Sequence, residues 1–326
     1  MSLPEFQLLR PRTLDEAVAL MAKHEGECRI VAGGTDLLPS MKQKLFTPPY
    51  VLDLRGVSEL RGIRNVPGRG LQIGALTTLS VIEHSAVIRR DYPVLHEAVK
   101  TVASPVIRNM ATLGGNICLD TRCLWYNQSL LWRKSCGFCL KKDGDLCHVA
   151  PGGSFCWATF SGDTPPALLC LGAELEIAGP HGVRHTPLSE FYINDGIVRL
   201  HLASDEIVTR VLLPENAAGW RGSYHKLRVR GSIDYPLAGV AVALKMSVGR
   251  VEDARLAITA LNPAPHLVKD ADVHLIGMAP DEEMAEKIGE IAARTAKPLT
   301  TSALTPEYRR EMVKVFAKRA VIACAR

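Results

Sequence analysis

A chain of 326 residues with 47% hydrophobic and 22% charged residues is long enough for two or three packed cores, and too apolar to be disordered or fibrous. Its formal net charge of +5 is spread along the chain with no single basic block, which argues against nucleic-acid binding. No apolar run is long enough to span a bilayer, and the opening residues lack the basic and apolar sections of a signal peptide, so the sequence predicts a cytoplasmic protein with no membrane partner.

Thr13 stands three residues ahead of Glu16 and opens the apolar series Leu14, Val18 and Met21, a capping box that starts a helix. Cys28, Arg29, Ile30 and Val31 read as a short buried strand. A turn at Ala32, Gly33, Gly34, Thr35 and Asp36 follows, then a helical pattern at Leu37, Leu38 and Met41. A strand at residues 51–54 closes this first unit near Arg55. The second unit has a strand at 71–74, a helix at 94–102, a glycine turn at Gly114 and Gly115, a return at 166–171, and strands at 174–177 and 207–213. Residues 214–222 are turn-rich and read as a linker. Strands at 240–244 and 256–260 and helices at 281–295 and 306–324 make up the rest. The predicted fold class is α+β, in units 1–55, 56–217 and 218–326.

Two of these turns carry chemistry. In the first, glycines between a strand and a helix let the backbone approach a diphosphate, and the helix N-terminus offers free N–H groups; a plain tight turn is the alternative. The G-x-G-x-x-G spacing of the common dinucleotide fingerprint is absent. The second turn has the same character and ends in Asn116, whose amide both donates and accepts. Two close backbone approaches suit an extended dinucleotide such as FAD.

Ala32, Gly33, Gly34, Thr35, Asp36 and Leu37, taken with Ala111, Thr112, Leu113, Gly114, Gly115, Asn116 and Ile117, resemble the two flavin signatures of the medium subunit of the xanthine oxidase and carbon monoxide dehydrogenase family. Stretches beginning at Gly162, Asp205 and Tyr224 are similar to that family in the same order, so the resemblance covers nearly the whole chain. It implies a two-part FAD-binding region and a C-terminal α+β domain. It also implies that Val31 to Leu37 wrap the diphosphate and that Thr112, Gly114, Gly115 and Asn116 hold the second side. Asp163, Val208 and Lys226 match further flavin positions; Asp163 also reads as a helix N-terminal acid, and Lys226 as a solvated strand lysine.

The chain departs from the family pattern at residues 119–159. Five of its nine cysteines, Cys123, Cys136, Cys139, Cys147 and Cys156, fall in this insert and a sixth, Cys118, immediately before it, clustering that in a reducing compartment points to metal ligation. So long a loop needs internal support. Only Cys136 and Cys139 form a close pair, so a four-cysteine zinc site fits less well than a [4Fe-4S] cluster with dispersed ligands. The favoured ligands are Cys123, Cys139, Cys147 and Cys156, with Cys136 the rival of Cys139 and Cys118 a small buried residue.

Within the family the insert resembles that of the 4-hydroxybenzoyl-CoA reductases, whose flavin subunit carries such a cluster. The resemblance implies a large molybdenum-cofactor subunit, a small subunit with two [2Fe-2S] clusters, ferredoxin as electron donor and a dimer of heterotrimers. Arg122, Arg133, Lys134, Lys141 and Lys142 among the ligands predict a basic port for an acidic ferredoxin. The alternatives are the flavin subunit of an oxidising xanthine, nicotinate or carbon monoxide dehydrogenase, and a non-catalytic metal-binding scaffold.

Overall fold

The structure, a computed structural model, describes residues 2–325. Strands β1 (Gln7–Leu9), β2 (Cys28–Val31) and β3 (Tyr50–Asp53) form a parallel sheet in the order β1-β3-β2. Parallel pairing requires crossovers, and the helices Leu14–Lys23 and Leu37–Lys42 supply them. Thr13 caps the first, accepting from the Glu16 N–H at 3.2 Å. The Glu16 carboxylate reaches back to the N–H of Arg12 at 2.8 Å, one residue earlier than a strict capping box requires.

Strands β4 (Ile63–Val66), β5 (Gly70–Gly74), β6 (Glu174–Gly179), β7 (Gly182–Pro187) and β8 (Ile207–Leu213) form an antiparallel sheet in the order β4-β5-β8-β6-β7. Helices lying between residues 79 and 117, and the helix Thr164–Cys170, cover it. The third sheet, β9 (Arg221–Leu227), β10 (Ala238–Ser247), β11 (Arg250–Thr259) and β12 (His266–Leu267), is antiparallel in the order β12-β11-β10-β9.

Strand β10 shows why its sequence is an unbroken apolar run. Ala238, Val240, Val242 and Leu244 pack with the C-terminal helices Glu282–Thr295 and Pro306–Ala325, while Ala241 and Ala243 face the core of the middle sheet. A strand buried on both faces has no polar alternation. The small residues on the second face let Pro93–Thr101 and Thr164–Cys170 approach, so the third sheet forms one wall of the middle core. The segment predicted as a linker is correspondingly packed. Trp220 is buried, β9 begins at Arg221, and a Cβ on Gly222 would sit 2.6 Å from Val94 Cβ.

Arg309 ties this layer together with no acidic partner among the described residues. Its fully buried guanidinium donates to the carbonyls of Leu237, Leu299 and Ala260 at 2.9, 2.9 and 2.8 Å, and burial pushes its pKa down to about 10. Arg309→Met would leave those carbonyls without that donor. A loss of about 3 kcal/mol is expected in urea unfolding, since each unsatisfied buried group costs about 1–3 kcal/mol. A change below about 1 kcal/mol would show that water replaces the guanidinium.

Candidate cofactor groove and cysteine cavity

The two glycine turns meet at one groove. Among the described residues, no protein acceptor takes the N–H groups of Gly33, Gly34 or Thr35, and Gly34 sits at φ +72°. These free donors ahead of the helix Leu37–Lys42 form an anion cradle. Gly33 lies directly on the second turn, where a Cβ would come 1.9 Å from the Met110 carbonyl oxygen. In the second turn Thr112 caps the helix Leu113–Ile117 by accepting from Gly115 N–H at 3.2 Å. Gly114 donates to the Ala75 carbonyl, and a side chain there would strike Ala75. Asn116 Oδ1 accepts from Thr164 N–H and Oγ1 at 3.1 and 2.7 Å, linking this turn to the helix that follows Asp163.

The cavity between them is about 870 Å³, in the range of a large cofactor site. Ala32, Gly33, Gly34, Thr35, Asp36, Leu37, Thr112, Gly114, Gly115, Asn116, Asp163 and Val208 line it. Val31 and Lys226 do not: the Val31 side chain packs with Met41 and Val51 in a small core. Lys226 is not the solvated lysine of the alternative reading, nor does it line the groove. Its ammonium is buried 2.9 Å from Asp163 Oδ2 and donates to the Thr101 carbonyl at 3.0 Å, while Tyr224 Oη donates to Asp163 Oδ1 at 2.8 Å. A buried ammonium needs such a partner, so Lys226 stands behind the groove wall and Asp163 within it. Asp163 makes no side-chain bond to its helix terminus, so it is not a capping acid.

Sequence reasoning missed Arg199 and Tyr235, which also line the groove from loops without periodicity. Tyr235 Oη donates to Asp36 Oδ1 at 3.0 Å, and Arg122 pairs with the same carboxylate while lying over the Tyr235 ring at 4.4 Å. The first turn, the base of the insert and the loop before β10 are thereby fastened together.

Beside the groove, Cys123, Cys139, Cys147 and Cys156 line one small cavity with Trp125, Tyr126, Lys141, His148 and Trp157. None of the four is in a disulfide. Cys136 ends the short helix Leu130–Ser135 and does not line it, and Cys118 lines the larger groove instead. Cys118 is only partly shielded from solvent, yet burial of its thiol pushes the pKa up to about 11. Burial likewise raises the Cys123 and Cys156 thiols to about 11, so metal binding there must displace protons. Among the described residues no three His, Cys, Asp or Glu side chains converge closely enough for a single metal ion. Trp125 stacks on His148 at 4.3 Å, and Leu45, Tyr126 and Cys139 form a small core of their own, which supplies the loop's internal support.

The expected basic port is not built. Arg133 is buried and donates to the Gln43 and Lys44 carbonyls, Lys141 is buried on Asp120, Arg122 is taken by Asp36, and Lys142 lies 3.1 Å from Asp143. Among the described residues, Lys134 alone of the five stands exposed without an ion pair. Long cationic side chains in a packed insert satisfied internal carbonyls and carboxylates instead of solvent.

A groove with free backbone donors, closed by a parallel sheet, an antiparallel sheet and a third α+β layer, defines a dinucleotide-binding protein, here with a cysteine-lined cavity beside the groove. Residues 4–216 match the family described as the FAD binding domain in molybdopterin dehydrogenase, and residues 222–324 match the CO dehydrogenase flavoprotein C-terminal domain. The carbon monoxide dehydrogenase medium chain of Afipia carboxidovorans is 31% identical over 97% of this chain and 95% of its own. The nicotine 6-hydroxylase medium subunit of Paenarthrobacter nicotinovorans is 28% identical over 99% and 98%. The solved structure of reconstituted CO dehydrogenase from Oligotropha carboxidovorans superposes with a TM-score of 0.82 at 28% identity, covering 100% of this chain and 99% of that one. This chain belongs to the FAD-binding medium subunits of the molybdenum hydroxylase family, that of xanthine oxidase and CO dehydrogenase, and is an FAD-binding oxidoreductase subunit. Both family descriptions name flavin enzymes and neither names a cluster, so a cluster rests on the insert alone. No helix among the described residues is long and apolar enough to cross a membrane.

Proposed function

We propose that this chain carries electrons between FAD in the groove and a [4Fe-4S] cluster held by Cys123, Cys139, Cys147 and Cys156, with substrate chemistry on another subunit. The observation that carries the reading is the meeting of these four cysteines, from four separate points of the insert, at one cavity that excludes Cys136. Ligands dispersed along the sequence suit a [4Fe-4S] cluster better than a zinc site built on two close pairs. FAD exchanges one or two electrons and a cluster exchanges one, so the pair would connect one- and two-electron partners. The chain's own part is to bind and insulate. Gly33, Gly34 and Thr35 offer N–H groups to the diphosphate, Thr112 to Asn116 form the opposite wall, and Val208 keeps that wall apolar. The units 1–55, 56–217 and 218–326 are proposed as the two FAD-binding parts and the C-terminal domain.

The insert favours a reductive enzyme of the 4-hydroxybenzoyl-CoA reductase kind. In that reading ferredoxin delivers electrons at the insert, and they pass through this chain and a small subunit with two [2Fe-2S] clusters. A large molybdenum-cofactor subunit then removes a phenolic hydroxyl, in a dimer of heterotrimers. The named relatives support the alternative better, a flavin subunit of an oxidising molybdenum hydroxylase, because a carbon monoxide dehydrogenase and a nicotine hydroxylase take electrons from substrate. Family membership leaves the scaffold reading without support.

Stopped-flow absorbance of the purified complex separates the directions. Rapid flavin reduction by reduced ferredoxin, abolished in Cys147→Ser and retained in Cys136→Ser, is the result expected of the reductive reading. Flavin reduction by an oxidisable substrate alone, unchanged in Cys147→Ser, would favour the oxidising one and remove the cluster from the path.

A further inference from the structure

One ionic node separates the two cavities. Asp120 lines the groove and Lys141 lines the cysteine cavity, their charged atoms 2.9 Å apart, with both side chains at least nine-tenths buried. The ammonium also donates to Thr121 Oγ1 at 2.6 Å and to the Gly196 carbonyl at 2.5 Å, and lies 4.7 Å from the Tyr126 ring centroid. Tyr126 Oη donates to the other Asp120 oxygen at 3.0 Å, and Arg199 stands 3.6 Å from the carboxylate on the groove side. Gly196 packs on the wall of the cysteine cavity: its N–H donates to the Cys156 carbonyl, and a Cβ there would come 2.7 Å from Cys156 Sγ. The pair is therefore a fixed dipole, cation toward the cysteines and carboxylate toward the groove.

We propose that Lys141 is a positioning residue that seats the cysteine cavity against the flavin groove and makes a centre held there easier to reduce. The inference rests on the cluster reading given above. Reduction adds one negative charge to a cluster, and a buried cation lining the same cavity as the four cysteines stabilises that charge in low dielectric. The ammonium has no solvent shell to screen it, and its position is set by three acceptors from two segments. Among the described residues, no anion other than Asp120 pairs with it. Because Asp120 lies on the far side, its own field opposes that effect more weakly. Substitutions at the two positions should move the cluster's midpoint in opposite directions.

The test is an anaerobic redox titration of the whole complex, followed by the low-temperature electron paramagnetic resonance of the reduced cluster, with iron, acid-labile sulfide and FAD measured on each sample. At a fixed potential, Lys141→Met is expected to lower the reduced-to-oxidised ratio about tenfold, which for a one-electron couple is about 59 mV. Lys141→Arg should restore the wild-type midpoint, and Asp120→Asn should raise it. A Lys141→Met protein with full iron and an unmoved midpoint overturns the proposal. If that variant retains no iron, Asp120→Asn decides: an unchanged or lowered midpoint overturns it equally. Wild-type protein without iron and sulfide would instead refute the cluster reading, a distinguishable failure.

Discussion

Gly33→Ala is expected to abolish FAD retention. A methyl group there would lie 1.9 Å from the Met110 carbonyl oxygen and 2.6 Å from its carbon, both backbone atoms of the second turn. Packed interiors do not absorb an overlap of that size without moving backbone, so the two turns would part. Flavin released on denaturation of the purified protein should fall by about tenfold or more, equivalent to about 1.4 kcal/mol of binding. Gly34→Val acts differently. Its Cβ would meet only the side chains of Leu38 and Val31 at 3.1–3.4 Å, but a branched residue would be forced to φ +72°. That strain costs about 1–3 kcal/mol and is confined to one turn. Full flavin content in Gly33→Ala would show that FAD does not depend on contact between the turns.

Asp163→Ala should be the most destabilising single change in the groove. It leaves the Lys226 ammonium, 2% exposed, with only the Thr101 carbonyl and no counter-charge, and it also strips Tyr224 Oη of its acceptor. Breaking a buried pair from one side costs about 3–5 kcal/mol. Adding Lys226→Met should recover part of the loss, because the uncompensated charge is then gone; Asp163→Asn should cost less than Asp163→Ala, because the amide oxygen still accepts. Urea unfolding of the four proteins checks the ranking. A double variant no more stable than Asp163→Ala would mean that the buried charge is not the source of the cost.

Elements with a strong local pattern were legible in the sequence. The helix Leu14–Lys23, strand β8 and the two C-terminal helices carry caps or sustained periodicity, and the structure places them within a residue or two. Strands β1, β4 and β12 are too short and polar to show a period, and exist because neighbours offer backbone partners. The two glycine turns were readable because few residues other than glycine tolerate such approaches. The fate of individual side chains was not. Lys226 and Lys141 look like surface lysines until the fold brings Asp163 and Asp120 to them, and Tyr235 and Arg199 reach the groove from loops whose course no local pattern encodes. Cys139 lines the cavity and Cys136 does not because Cys136 stands at the end of a helix of six residues, which no local pattern announced.

The most direct test of the account is a cofactor analysis of the anaerobically purified chain in its complex, with the iron and sulfide of the partner subunits subtracted by comparison with Cys147→Ser. The account expects about one FAD per chain and a difference of about four iron and four acid-labile sulfide between wild type and variant, with FAD unchanged. Equal iron and sulfide in the two proteins, or zinc without sulfide in the wild type, would contradict it.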